Sequence, residues 1–148
     1  MRRGIAAGTA VVLVLEALAI ATVNWILGLA ARHQDMSVAG LHSDAMAAGS
    51  WAGGAVFGLF LIGCAVLVAR IALRDEMAGR FGRIVLILCA VVHGVVGALV
   101  VGLVGWFAFA VMMVVLGLLV GTLLLYAPED VREDAAVPPG GTVTPTSP

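Results

Sequence analysis

Apolar residues run from Gly4 to Ala31 with one charged interruption, Glu16, and again from about Ala45 to Ala69 and from Ile84 to Ala127. Two polar breaks separate these runs, Arg32 to Asp44 and Arg70 to Arg83. About 20 apolar residues suffice to cross the hydrocarbon core of a bilayer as a helix. The first two runs therefore predict one helix each, whereas the third, 44 residues long, predicts two. Gly102-Leu103-Val104-Gly105-Trp106 is the natural turn between them, because its glycines relax the backbone and Trp106 suits the membrane interface. The pattern thus predicts an all-α, four-helix transmembrane bundle with helices near 4–31, 45–69, 83–102 and 106–126, residues 1–127 forming one domain. From Pro128 the chain turns acidic and then Pro-, Gly- and Thr-rich. It offers no apolar face to bury, so a disordered tail is expected over 128–148.

The first run opens like a secretory leader, with Arg2 and Arg3 before an apolar stretch. It is longer than an h-region of about 7–15 residues, carries Glu16 at its middle and ends without a small-x-small cleavage site, so a retained helix is expected. Arg2 and Arg3 flank helix one and four arginines fill the second break, while only Arg32 lies in the first. The positive-inside rule then places both termini and the 70–83 loop in the cytoplasm, and the localisation expected is the cytoplasmic membrane.

Composition reinforces the pattern. Of 148 residues, 62% are hydrophobic and 11% charged, less than half the roughly 25% charged residues of a soluble domain. Too few charges remain to solvate a globular surface, so the lipid bilayer is the first partner. A formal net charge of −1 leaves no basic footprint for nucleic acid. All eight basic residues are arginine, a mark of a GC-rich genome and not of function. Cys64 and Cys89 both lie inside apolar runs without a C-x-x-C spacing. They fall in the cytoplasmic halves of neighbouring helices, where proximity is possible, but the reading favoured is two small buried apolar residues.

Helices in lipid associate through close approach of small residues. Ala90, Gly94, Ala98 and Gly102 form a stripe at four-residue spacing on helix three, with Gly117 and Gly121 on helix four and Gly49/Gly53 and Gly54/Gly58 on helix two. Ordinary helix packing within the bundle is the expected use, and a dimerisation or channel-lining surface the alternative. Counting inward from Arg3 and Arg83 at about 1.5 Å per residue, Glu16 and His93 lie roughly 20 and 15 Å deep. That is within one helical turn of each other, so the two side chains are expected to meet inside the bundle. The pair is a candidate proton or substrate site, set against a structural role as interhelical hydrogen-bond glue. Thr22 and Asn24 read as local hydrogen-bonders.

The first break holds two H-x-D triplets, and His33, Asp35, His42 and Asp44 are candidate metal ligands by residue type, although a solvated connection is the plainer reading. Arg70, Arg74, Arg80 and Arg83 read as topology determinants interleaved with Asp75 and Glu76. No nucleophile triad, phosphate-cradling loop, H-E-x-x-H or Cys/His zinc spacing occurs. An enzyme is not expected, and no cofactor is.

Leu15-Glu16-Ala17-Leu18-Ala19 with Trp25 in an Arg-flanked first helix, a second helix ending Val-Ala-Arg-Ile-Ala-Leu-Arg, and the loop Gly79-Arg80-Phe81-Gly82-Arg83 resemble a group of small four-helix integral membrane proteins of actinobacteria. That resemblance implies location and topology and lends no activity. The chain is more weakly similar to small multidrug resistance exporters, four-helix proteins with a membrane-embedded Glu in the first helix. Glu16 matches that role, but the aromatic residues expected around it are absent and His93 is additional. Two functions are therefore expected: a non-enzymatic accessory or interaction subunit, acting with a membrane protein partner or a second copy of itself, and, as the alternative, a proton-coupled transporter of small molecules using Glu16.

Overall fold

The computed structural model describes residues 1–34, 40, 42–76 and 79–126. They form four α-helices: α1 (Arg2–His33), α2 (Ser43–Arg74), α3 (Gly79–Leu103) and α4 (Trp106–Leu125). Each is long and apolar enough to cross a membrane, and no strand occurs among the described residues. The all-α bundle read from the pattern is the fold. The tail, 128–148, lies outside the described residues.

α1 and α2 begin and end beyond their apolar runs, and α3 begins before its own. Thirty-two residues in α1 and in α2 amount to about 48 Å of helix, against roughly 30 Å of hydrocarbon. Hydropathy marks where lipid ends, not where the backbone hydrogen bonds end. Arg70 and Arg74 therefore still ride on α2, and Arg80 and Arg83 already ride on α3. The α3–α4 turn falls where the glycines predicted it, at Val104 and Gly105. Gly105 adopts φ +111°, a left-handed conformation disfavoured for residues bearing a Cβ.

An even number of spans places both described ends of the chain on one side of the bundle. On that terminal side Asp75, which caps α2 in a left-handed conformation (φ 56°), gathers three helix ends. Its carboxylate accepts a hydrogen bond from the Tyr126 hydroxyl at 3.0 Å. It also pairs with Arg2 and with Arg3, each at 3.3 Å, and the Arg2 guanidinium lies over the Tyr126 ring. Tyr126 is thus a buried tie rather than the lipid-interface anchor its position suggests.

Two helix pairs make up the molecule, α1 with α2 and the α3–α4 hairpin. The first pair stays in contact along its whole length. Gly58 faces the Ala17 carbonyl, Gly54 lies against Asn24, and Gly28 lies against Trp51, so a side chain at either of the last two would collide with its neighbour. Near the far side Trp25 stacks on Trp51 with centroids 5.5 Å apart, and the Trp51 indole N–H donates to the Trp25 carbonyl. Between the two pairs, the core is concentrated in the terminal half: Leu13 and Ala17 of α1, Leu61 and Val68 of α2, Leu86 of α3 and Leu119 of α4 are all buried there. A buried Thr9–Thr122 contact of 3.2 Å joins α1 to α4 at the same end. Toward the far side the pairs part.

Small residues on α3 pack differently from the expected stripe. Ala90 is buried, but Gly94 is only partly covered and Ala98 and Gly102 are exposed. A Cβ on Gly94, Gly102, Gly117 or Gly121 would meet nothing within 4 Å. The inward face instead runs through Leu86, Cys89, His93 and Gly97, and Gly97 is where α3 closes on Met112 and Met113 of α4. The reason is the imidazole. One polar side chain in the span is costly toward lipid, so His93 sets the rotation of α3 and turns the neighbouring stripe outward.

Candidate functional site

Glu16 sits halfway along α1 and His93 halfway along α3, and the two meet as their depths predicted. His93 Nε2 lies 3.0 Å from Glu16 Oε2, with the imidazole 1% and the carboxyl side chain 9% exposed. His93 Nδ1 is 2.7 Å from the carbonyl oxygen of Cys89, one turn earlier. A carbonyl only accepts, so Nδ1 carries a hydrogen and donates it. The remaining nitrogen then has two ways to bond Glu16. Either Nε2 is protonated and donates to a carboxylate, or the carboxylic acid donates to a bare Nε2. Both arrangements hold one shared proton and carry no net charge. Neutrality as a unit removes the several kcal/mol that a lone carboxylate would cost at this depth.

The pair forms the inner end of a cavity of about 730 Å³ in the gap between α1 and the α3–α4 hairpin. By register the cavity runs from Glu16, His93 and Val115 at mid-depth to Val104 and Phe107 beside the Gly105 turn. His93 and Val104, just past the end of α3, are eleven positions apart, about 16 Å at helical rise. The walls are aliphatic and aromatic, and Asn24 is the only other polar side chain among the lining residues. Its amide donates to the Ile20 carbonyl at 2.9 Å. A long apolar space ending in one protonatable pair has the shape and polarity to accommodate a molecule with an apolar body and a single polar or charged head.

Cys64 and Cys89, each fully buried and free, belong to one buried core cluster and lie at matching depth in α2 and α3. The Cys89 sulfur lies 3.7 Å from His93 Nδ1, so this thiol adjoins the proton pair.

Other expected residues stay apart. His33, His42 and Asp44 are exposed, Asp44 is held by Arg32 at 3.2 Å, and Asp35 lies outside the described residues. Among the described residues no three His, Cys, Asp or Glu side chains assemble as a metal site. Thr22 donates to the Leu18 carbonyl on an exposed face, a local bond as expected. Three tertiary hydrogen bonds escaped the sequence reading, Thr9–Thr122, Trp51–Trp25 and Asp75–Tyr126. The depth count that paired Glu16 with His93 also finds the first, since Thr9 and Thr122 are each near the terminal end of their spans. Comparison with protein-family models, curated proteins and solved structures finds no match to this chain.

Proposed function

We propose that the chain is a multi-pass protein of the cytoplasmic membrane, with both termini inside, that exchanges a proton for a small apolar cation at Glu16. The observation that carries this reading is the neutral Glu16–His93 pair closing an otherwise apolar cavity of about 730 Å³. With its shared proton the pair is neutral. Without it the pair is a carboxylate beside a neutral imidazole, with one negative charge and room in front of it. Binding a monovalent cation and binding that proton are therefore mutually exclusive, and exchange is one for one. This is the chemistry of proton-coupled transport, not of an enzyme.

Vesicles containing the purified protein and an imposed pH gradient test it. Lipophilic amines and quaternary ammonium ions should accumulate in response to the gradient, with one proton released per cation bound. Glu16→Gln should abolish accumulation while the protein still inserts and migrates as a folded species in detergent. Normal transport by that variant, or no gradient-driven uptake of any such cation, overturns the proposal.

A second reading, an accessory subunit, draws on the uncovered small-residue face formed by Gly94, Ala98 and Gly102 of α3 and Gly117 of α4. Close helix approach in lipid needs such a face, and a neighbouring helix from another membrane protein or a second copy fits it. Purification in mild detergent without any associated protein, and as a monomer, counts against this reading.

A further inference from the structure

The outward face of the α1–α2 pair carries a continuous apolar groove. One cavity of about 290 Å³ runs over Ala10 and Ala65, and a second, of about 360 Å³, runs over Ala17 and Gly58. Ile62 lines both, so the two lie end to end. Those four small residues are buried and make the floor, while the exposed side chains of Val11, Leu59 and Val66 make the walls. No polar side chain lines either part. The groove extends along α2 from Ala69 to Gly54, about 22 Å of helix, which exceeds the roughly 15 Å from the hydrocarbon edge to the midplane.

Positive charge collects at the terminal end of this groove. Arg3 stands seven residues before Ala10 and Arg70 four residues after Val66, spacings that keep each on the groove side of its helix. The two 32-residue helices overshoot the hydrocarbon by about 18 Å in all, so both arginines ride in end turns at the level of the lipid headgroups. At that end Arg2, Arg3, Arg70 and Arg74 are set against only Asp75 and Glu76. Arg2 and Arg3 share the one carboxylate of Asp75, and no carboxylate among the described residues pairs with Arg70. Arg3 bonds Asp75 through Nε, which leaves its two terminal nitrogens as donors. An apolar groove at acyl-chain depth with surplus guanidinium charge at headgroup depth complements an acyl chain joined to a phosphate. A helix from another protein would fill the groove and leave that charge unmet.

We propose that the groove binds one anionic phospholipid of the leaflet on the terminal side, with an acyl chain lying over Ala10 and Ala65 and the phosphate held between Arg3 and Arg70. Both guanidinium groups donate to phosphate oxygens, as charge-assisted hydrogen bonds. The inference does not depend on what the Glu16–His93 cavity binds.

Native mass spectrometry of the full chain tests it, after delipidation and return to detergent with phosphatidylglycerol or phosphatidylcholine of the same acyl chains. One phosphatidylglycerol per chain should be retained in preference to phosphatidylcholine. Arg70→Gln, which breaks no ion pair, should lower that retention about fivefold, and the double variant with Arg3→Gln about thirtyfold. Val14→Trp fills the groove from its lipid-exposed edge and should lower retention with every arginine in place. Arg80→Gln with Arg83→Gln, on α3 and away from the groove, should leave it unchanged, all variants being compared at equal helicity by circular dichroism. Equal retention of the two lipids, full retention by Val14→Trp, or an equal loss in the Arg80/Arg83 variant overturns the proposal. So does a second copy of the chain found on the groove in place of the lipid.

Discussion

Tyr126 is the only tyrosine in the chain, so its phenol absorbance reads the terminal-side tie without interference. Burial and the hydrogen bond to Asp75 hold its ionisation above the ordinary value of about 10. In turn the Tyr126 hydroxyl, followed by Arg2 and Arg3, holds the Asp75 carboxyl below the usual carboxylate range. A raised tyrosine contributes stability that is complete below about pH 10 and is lost as pH climbs through its folded-state value. A depressed aspartate contributes stability that is complete above about pH 4 and is lost as pH falls through its own. The tie should therefore be indifferent to pH between about 5 and 9 and fail only outside that window. Asp75→Asn keeps a residue tolerant of the left-handed conformation while removing the charge. Spectrophotometric titration should show Tyr126 ionising at lower pH in that variant than in the wild type, and an unchanged titration curve would refute the assignment. At this scale the sequence exposed Glu16 and His93 because each is the single acidic, basic or imidazole side chain inside its apolar run, so depth alone paired them. Asp75 and Tyr126 were not legible as partners, since an aromatic residue at a span end reads equally well as an interface anchor.

Helix α3 shows where pattern reading loses resolution. Its existence and its end at the glycine turn followed from the pattern, although it starts four residues earlier than hydropathy marked, at Gly79. Every face of a lipid-embedded helix is apolar, so amphipathicity cannot report its rotation. Spacing of small residues favoured the face of Gly94, Ala98 and Gly102, whereas His93 commits the helix to the face of Cys89 and Gly97. Gly97→Val should accordingly lower stability by about 1–3 kcal/mol through overpacking against Met112 and Met113. Gly94→Val, with open space before it, should change the stability of the isolated chain by less than about 0.5 kcal/mol. Unfolding of the detergent-solubilised variants by a denaturing surfactant, followed by circular dichroism, gives both numbers. The reverse order would mean that the stripe is the true inward face. A Gly94→Val chain that is stable alone but no longer recovered with a partner or as an oligomer would instead support the accessory-subunit reading.

At the scale of the molecule, two pairs of helices are bound tightly at the terminal side and part toward the far side, and the Glu16–His93 hydrogen bond is the deepest polar link between them. Span count and the position of the tight turn were legible in the sequence. The parting of the pairs was not, because it depends on which spans touch, and apolar spans carry little information about their neighbours. The bond across the gap has a further meaning in the order of synthesis. Residue 16 enters the membrane long before residue 93 has been made, so for most of translation the carboxyl has no imidazole to share its proton with. A chain ending at Glu76 should therefore be cleared from the membrane fraction, and Glu16→Leu in that fragment should restore its steady-state level severalfold on immunoblots. Equal levels of the two fragments would contradict this. In the whole protein, arrival of α3 supplies the imidazole that neutralises the buried carboxyl, so the first half should shed that liability only once synthesis has passed its midpoint.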